Sequence, residues 1–197
     1  MIGPRVQSFS RHAAERAVTP LAAVGITPLM LTVVGFVLSI PAAVFLATGQ
    51  HLVGGILVLA SGGVDMLDGA LARLKREETV FGAFIDSTLD RYVEAAVYGG
   101  LLWYFSVAGR NVEAIVAVSA MAGSLLVSYA KARAEGLGLE CKVGLLQRPE
   151  RLLLLGVAAA LSGWTPLLVP ALWVLAIVTH ITALQRIVHV YSITRDD

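Results

Sequence analysis

Cysteine is almost missing from this chain. Cys141 is the only one in 197 residues, which excludes an intrachain disulfide framework and gives no sign of an oxidising compartment. Charge is scarce as well: 15% of residues are Asp, Glu, Lys or Arg, against 57% hydrophobic, whereas a soluble domain carries about 25% charged residues. Aromatics reach only 7%, and the Lys and Arg residues are neither tandem nor interleaved with them, so no nucleic-acid surface is expected. His12, His51, His180 and His189 lack the spacing of a zinc site. There is no repeat, low-complexity segment or linker, so residues 1–197 read as one domain.

What the chain does have is long apolar runs. They predict an all-α polytopic membrane protein with six transmembrane helices, at about 27–48, 52–74, 80–107, 112–136, 149–163 and 166–191. Thr27 followed by Pro28 reads as an N-cap and a first helical residue, and Thr79 can cap the third span. Gly49-Gln50-His51 and Gly109-Arg110-Asn111 mark turns, and residues 136–148 a loop. The last apolar region, Leu152 to Val178, is long enough for one helix or for two broken at Ser162-Gly163-Trp164-Thr165-Pro166. Charge favours two. With six spans, all of the 15 Lys and Arg residues except Arg110 fall on one side, which the positive-inside tendency makes cytoplasmic together with both termini. Before the first span, Arg5, Arg11, Glu15 and Arg16 interrupt any signal-peptide core. Ile2, Val6, Phe9, Ala13 and Ala17 recur at helical spacing opposite Arg5, His12 and Arg16, predicting an N-terminal amphipathic interfacial helix over about 1–18.

Acids interrupt the apolar pattern in one place. Asp65 and Asp68 are three residues apart near the end of the second span, and Asp86 and Asp90 are four apart near the start of the third. Either spacing puts two carboxylates on one helix face, and the charged break Lys75-Arg76-Glu77-Glu78 turns the chain so that the two helices face each other. Four carboxylates so placed repel one another unless a cation sits among them. An all-oxygen ligand set suits a hard divalent ion, Mg2+ or Mn2+, and intramembrane carboxylates are costly enough to signal function. Gly69 and Gly82 remove side chains where a ligand or a facing backbone comes close. A nucleotide diphosphate matches two such ions in an oxygen-rich cleft, with Arg73 adding fixed positive charge.

The pattern Asp65-x2-Asp68-Gly69-x2-Ala72-Arg73-x8-Gly82-x3-Asp86-x3-Asp90 resembles the signature of the CDP-alcohol phosphotransferase family of integral membrane enzymes. The similarity extends to Pro28 upstream and Arg186 downstream. It implies that Asp65, Asp68 and Asp86 hold metal, and that Asp90 is the general base and also touches a metal. It places Pro28, Leu29, Met30, Leu31, Thr32, Gly69, Ala72, Arg73 and Thr79 around the CDP-lipid, where Gly82 also belongs. It further implies a homodimer, for which Gly99, Gly100 and Gly123 offer small interface residues; the membrane lipid surroundings follow from the apolar runs, and the cytoplasmic-side active site from the Lys and Arg distribution.

Acceptor choice is expected elsewhere. Ser128, Lys131 and Arg133 end the fourth span, Arg148 and Arg151 flank Pro149-Glu150, and Arg186 lies near the end of the sixth. Several arginines converging on one cavity make a phosphate site, because guanidinium pairs with phosphate oxygens bidentately. A phosphorylated polyol acceptor is therefore expected. The run Ser128-Tyr129-Ala130-Lys131-Ala132-Arg133-Ala134-Glu135, with Arg148-Pro149-Glu150-Arg151, resembles the inositol-phosphate-using branch of the family and its archaeal ether-lipid counterpart. A glycerol-phosphate-using enzyme is the nearest alternative, and a cation transporter the alternative from another class. Arg91 and Glu94 follow the motif on the third span without a role that the pattern assigns.

Overall fold

The structure, a computed structural model, describes residues 18–195, so the interfacial helix expected over about 1–18 lies outside the described residues but for its last position. A short helical stretch at 18–23 leads into six longer helices. These are α1 (Pro28–Ala47), α2 (His51–Lys75), α3 (Val80–Val107), α4 (Asn111–Gly136), α5 (Arg148–Leu161) and α6 (Leu168–Ile193). No strand occurs among the described residues.

Local chemistry explains where they start. Thr27 accepts a hydrogen bond from the Met30 N–H at 3.3 Å, and Pro28 occupies the first turn. Thr79 accepts from the Gly82 N–H at 2.9 Å. At α5 the Glu150 carboxylate reaches back to the Gln147 N–H at 2.5 Å, with Pro149 in the first turn. α2 ends where Arg76 turns into the left-handed region at φ 55°, its N–H directed to the carbonyls of Ala72 and Arg73.

The helices close a ring. α2 packs on α1 and α5, α3 on α1 and α4, and α6 on α4 and α5. Small residues set the closest crossings: a Cβ on Gly55 would fall 2.3 Å from the Ala160 nitrogen, and one on Gly100 would fall 2.4 Å from the Ala43 carbonyl oxygen. Tyr98, Leu101 and Phe105 of α3 and Leu172 and Leu175 of α6 belong to one buried core inside the ring. The outside of the ring is apolar as well, with Val37, Ile40 and Val44 of α1, Trp103 of α3 and Ile177 and Leu184 of α6 all exposed. That is the pattern of an integral membrane protein, whose lipid-facing and inward surfaces are both apolar.

Four of the helices, α1, α2, α4 and α6, are long and apolar enough to cross a membrane. α3 has the length, 28 residues, but carries Asp86, Asp90, Arg91 and Glu94. α5 has only 14 residues, about 21 Å of helix against a hydrocarbon core of about 30 Å. The region expected as 149–163 and 166–191 thus divides into a short helix and a long one, separated at 162–167.

Candidate active site

One end of the bundle gathers the polar chemistry. Asp65 and Asp68 come from the last turns of α2 and Asp86 from the second turn of α3, and one oxygen of each lies within 4.8 Å of the others. Asp68 is 6% exposed and is oriented by the Thr32 hydroxyl of α1, which donates to its Oδ2 at 2.7 Å. Asp86 Oδ1 is buried with no hydrogen-bond partner. A buried carboxylate oxygen without a donor is costly unless a cation faces it. Three carboxylates so spaced, with an unsatisfied oxygen among them, fit a hard divalent ion such as Mg2+ or Mn2+.

Asp90 stands apart from this trio. One helical turn further along α3, its Oδ1 forms an ion pair with Arg148 Nη2 at 2.7 Å, while Arg148 Nη1 donates to Asp65 Oδ2 at 2.6 Å. One guanidinium from α5 therefore bridges a carboxylate of α2 and one of α3. Part of the positive charge that the acids require comes from the chain itself. Sequence reasoning gave Arg148 to the acceptor site and missed the bridge, although the repulsion argument called for a cation and Arg148 begins a helix at that same end.

Cavities flank the acids on two sides. The first, of about 290 Å³, is lined by Pro28, Leu29, Thr32, Asp68, Gly69, Ala72, Arg73, Thr79, Gly82 and Asp86, with Glu77, Glu78 and Ala83 added. Met30 and Leu31, expected here, do not line it. Met30 points outward, 55% exposed, and Leu31 packs into a small core with Ala70 and Leu71. A Cβ on Gly69 would meet only the Arg73 guanidinium, at 3.5 Å, so this glycine faces open cavity and not a packed helix.

The second cavity, of about 510 Å³, is lined by Asp90, Ser128, Lys131, Arg148, Arg151 and Arg186, with Arg91, Gln147 and others beside them. Arg133 is the exception among the expected residues: it is exposed on α4 and turned away from the cavity. Arg186 is 2% exposed and is held by carbonyls, Nε donating to Val143 at 3.0 Å and Nη1 to Val127. No carboxylate forms an ion pair with it among the described residues. A buried cation in that condition favours an anion in the adjoining space. Arg151 differs, being paired with Glu94 of α3 at 2.7 Å. Lys142 pairs with Glu140 on the exposed loop, away from both cavities.

The opposite end of the bundle is poor in acids. There Glu113 is bonded to Arg110 at the surface; between it and the aspartates the one further acid among the described residues of the helices is Glu94, a turn beyond Asp90 and paired with Arg151, so no chain of acids reaches that end. This arrangement suits a reaction centre between two ligand cavities, and it does not suit an ion route across the bundle.

Comparison with known proteins agrees with the geometry. The chain is 38% identical over 195 residues to the phosphatidylinositol phosphate synthase of Mycobacterium marinum, covering 93% of this chain and 83% of that protein. It is 35% identical over 188 residues to the archaetidylinositol phosphate synthase of Methanothermobacter thermautotrophicus, covering 92% of each. The crystal structure of the Mycobacterium tuberculosis phosphatidylinositol phosphate synthase with CDP-DAG bound superposes with a TM-score of 0.83 at 34% identity, covering 91% of this chain and 94% of that one. The same mycobacterial enzyme has been solved in complex with manganese and citrate, with a TM-score of 0.83 at 34% identity over 91% of this chain and 89% of that one. With residues 25–185 matching its family model, this chain belongs to the CDP-alcohol phosphatidyltransferase family.

Proposed function

We propose that this protein transfers a phosphatidyl-type group from a CDP-lipid to inositol phosphate, releasing CMP, in a reaction that depends on a divalent metal. The observation that carries this reading is the position of the acids between two cavities of different character, Asp68 and Asp86 of the trio lining one and Asp90 the other. One is bordered by Gly69 and Arg73 and suits a nucleotide diphosphate; the other is bordered by Lys131, Arg151 and Arg186 and suits a phosphorylated polyol. The relatives' names and the CDP-DAG complex support the same donor and acceptor.

In this reading Asp65, Asp68 and Asp86 hold Mg2+ or Mn2+, as two ions, with Asp90 touching one of them. When bound, the ions neutralise diphosphate oxygens and the charge on departing CMP. Asp90 takes the proton from the acceptor hydroxyl. The acceptor oxygen forms a bond to the lipid-bearing phosphorus, and the bond from that phosphorus to the CMP oxygen breaks. Arg148 aims Asp90 by its 2.7 Å ion pair, and Thr32 aims Asp68. Positioning of this kind, more than covalent catalysis, is what such a displacement needs.

The reaction is assigned to the cytoplasmic edge of a single domain with six crossings. Support comes from the helix ring, from the Lys and Arg asymmetry, and from the 162–167 connection, which lengthens the reach of α5. The homodimer is proposed on the family resemblance alone. Gly100 and Gly123 already pack within the chain, against Ala43 and Thr179, while Gly99 faces open space.

The test is CMP release from CDP-diacylglycerol by the purified protein, with inositol phosphate, glycerol phosphate and unphosphorylated inositol as rival acceptors. The expected result is turnover that requires divalent metal and is fastest with inositol phosphate. Preference for glycerol phosphate would move the chain to the other branch of the family.

A further inference from the structure

Glu94 lies inside the bundle, its side chain 1% exposed, beside an Arg151 side chain that is 2% exposed. It follows Asp86 and Asp90 at four-residue steps on the same face of α3, yet the reaction described above does not use it. Glu94 Oε1 accepts from Arg151 Nη2 at 2.7 Å and from Nε at 3.3 Å. The carboxylate therefore occupies one edge of the guanidinium. Elsewhere Arg151 has longer contacts, from Nη1 to the Leu146 carbonyl at 3.3 Å and from Nη2 to the Ser128 hydroxyl at 3.5 Å. A guanidinium has five N–H groups, so one Nη1 N–H stays uncommitted and the outer edge, otherwise held only by the two longer contacts, remains open to the basic cavity that Arg151 lines.

Stability does not account for this pair. Desolvating two charges commonly costs as much as their attraction returns, and apolar residues of similar volume pack as well. Glu94 Oε2 adds to the cost, being buried with no hydrogen-bond partner. Charge balance does not account for it either, because a carboxylate beside an anion site repels the anion.

We infer that Glu94 is a positioning residue for the acceptor: it fixes Arg151 by its Nε edge so that the opposite edge faces the cavity where a phosphorylated polyol lodges. This rests on the acceptor reading given above. Glu94 touches no substrate and acts only through Arg151.

The two roles for Glu94 predict opposite signs. If it merely balanced charge, Glu94→Gln would leave the KM for inositol phosphate unchanged or lower it, since a repulsive charge is gone. If it positions Arg151, that KM rises about tenfold, while kcat and the KM for CDP-diacylglycerol stay within about threefold. The assay uses the full-length purified protein with CDP-diacylglycerol, manganese and inositol phosphate. In a double-mutant cycle, Glu94→Gln added to Arg151→Gln should not raise the inositol phosphate KM beyond that of Arg151→Gln alone. Additive effects overturn the inference, as does an unchanged or lowered KM in Glu94→Gln.

Should Glu94→Gln fail to purify, Glu94→Asp decides: it keeps the charge but withdraws the carboxylate by one methylene. A raised acceptor KM supports positioning and an unchanged one overturns it. The wild-type control separates the two levels. Wild-type enzyme that ignores inositol phosphate and consumes an unphosphorylated alcohol overturns the acceptor reading and this inference with it. Normal wild-type saturation with a flat KM across the Glu94 variants overturns the inference alone.

Discussion

Arg148 couples the two halves of the site, because a single guanidinium holds Asp65 at 2.6 Å and Asp90 at 2.7 Å. Its side chain is only 14% exposed, so removing its charge leaves two carboxylates facing each other in a confined space. Breaking a buried pair of this kind costs about 3–5 kcal/mol. Arg148→Gln is therefore expected to lower CMP release at least about a hundredfold, and Arg148→Lys to recover only part of it, since one ammonium cannot reach both acids in a fork. Wild-type turnover in Arg148→Gln would remove the bridge from the mechanism. The acids themselves should divide by role. Asp86→Asn is expected to raise the manganese concentration for half-maximal activity by at least about tenfold, as even outer-shell changes do at metal sites. Asp90→Asn should instead act mainly on kcat, lowering it by about 10²–10⁴ at saturating manganese, where Asp86→Asn recovers more of its activity; a metal titration of both variants checks the division. Much of this site was legible in the sequence, because carboxylates at three- and four-residue spacing inside apolar helices are too costly to keep together without a cation among them. The pairing partners were not legible. Spacing along one helix says which residues share a face, but whether Arg148 meets Asp65 or Arg151 meets Glu94 depends on how α5 docks against α2 and α3.

At the level of elements, the starts of α1, α3 and α5 were readable because each carries its own chemistry: Thr27 and Pro28, Thr79, and Pro149 with Glu150. The break at 162–167 was the least determined, since apolar residues flank it on both sides and only the charge distribution argued for two helices. Interhelical contacts were beyond the sequence, and adjacent glycines of α3 show why. A Cβ on Gly100 would fall 2.4 Å from the Ala43 carbonyl oxygen of α1, whereas one on Gly99 would meet nothing within 4 Å. Composition does not distinguish the two. Gly100→Leu is expected to force α1 and α3 apart and to destabilise the detergent-solubilised protein by about 2 kcal/mol or more. Gly99→Leu should leave its thermal midpoint close to wild type. Equal midpoints for both variants would show that α1 and α3 do not pack at this crossing.

For the molecule as a whole, placement in the bilayer turns on α5. Its 14 residues cover about 21 Å, short of a hydrocarbon core of about 30 Å. Two arrangements compete: a full crossing completed by the 162–167 connection, or a helix that dips into the membrane and returns. The Lys and Arg distribution supports the crossing proposed above, because a return at this point would carry Arg186 and Arg195 to the side of Arg110 and away from the other basic residues. The chain offers a direct measurement. Gly163, in the connection, and Gly136, at the end of α4, are both exposed, neither has a positive φ, and a Cβ on either would meet nothing within 4 Å. Cysteine is therefore tolerated at both. Cys141 is fully buried and is replaced by alanine to give a clean background. In intact cells a membrane-impermeant maleimide is expected to label Gly163→Cys and to spare Gly136→Cys until the membrane is permeabilised. Labelling of neither in intact cells would put the 162–167 connection on the cytoplasmic side and make α5 a re-entrant helix. The charge argument would then fail at its last step, and the end of the bundle that carries Arg186 would have to be reassigned.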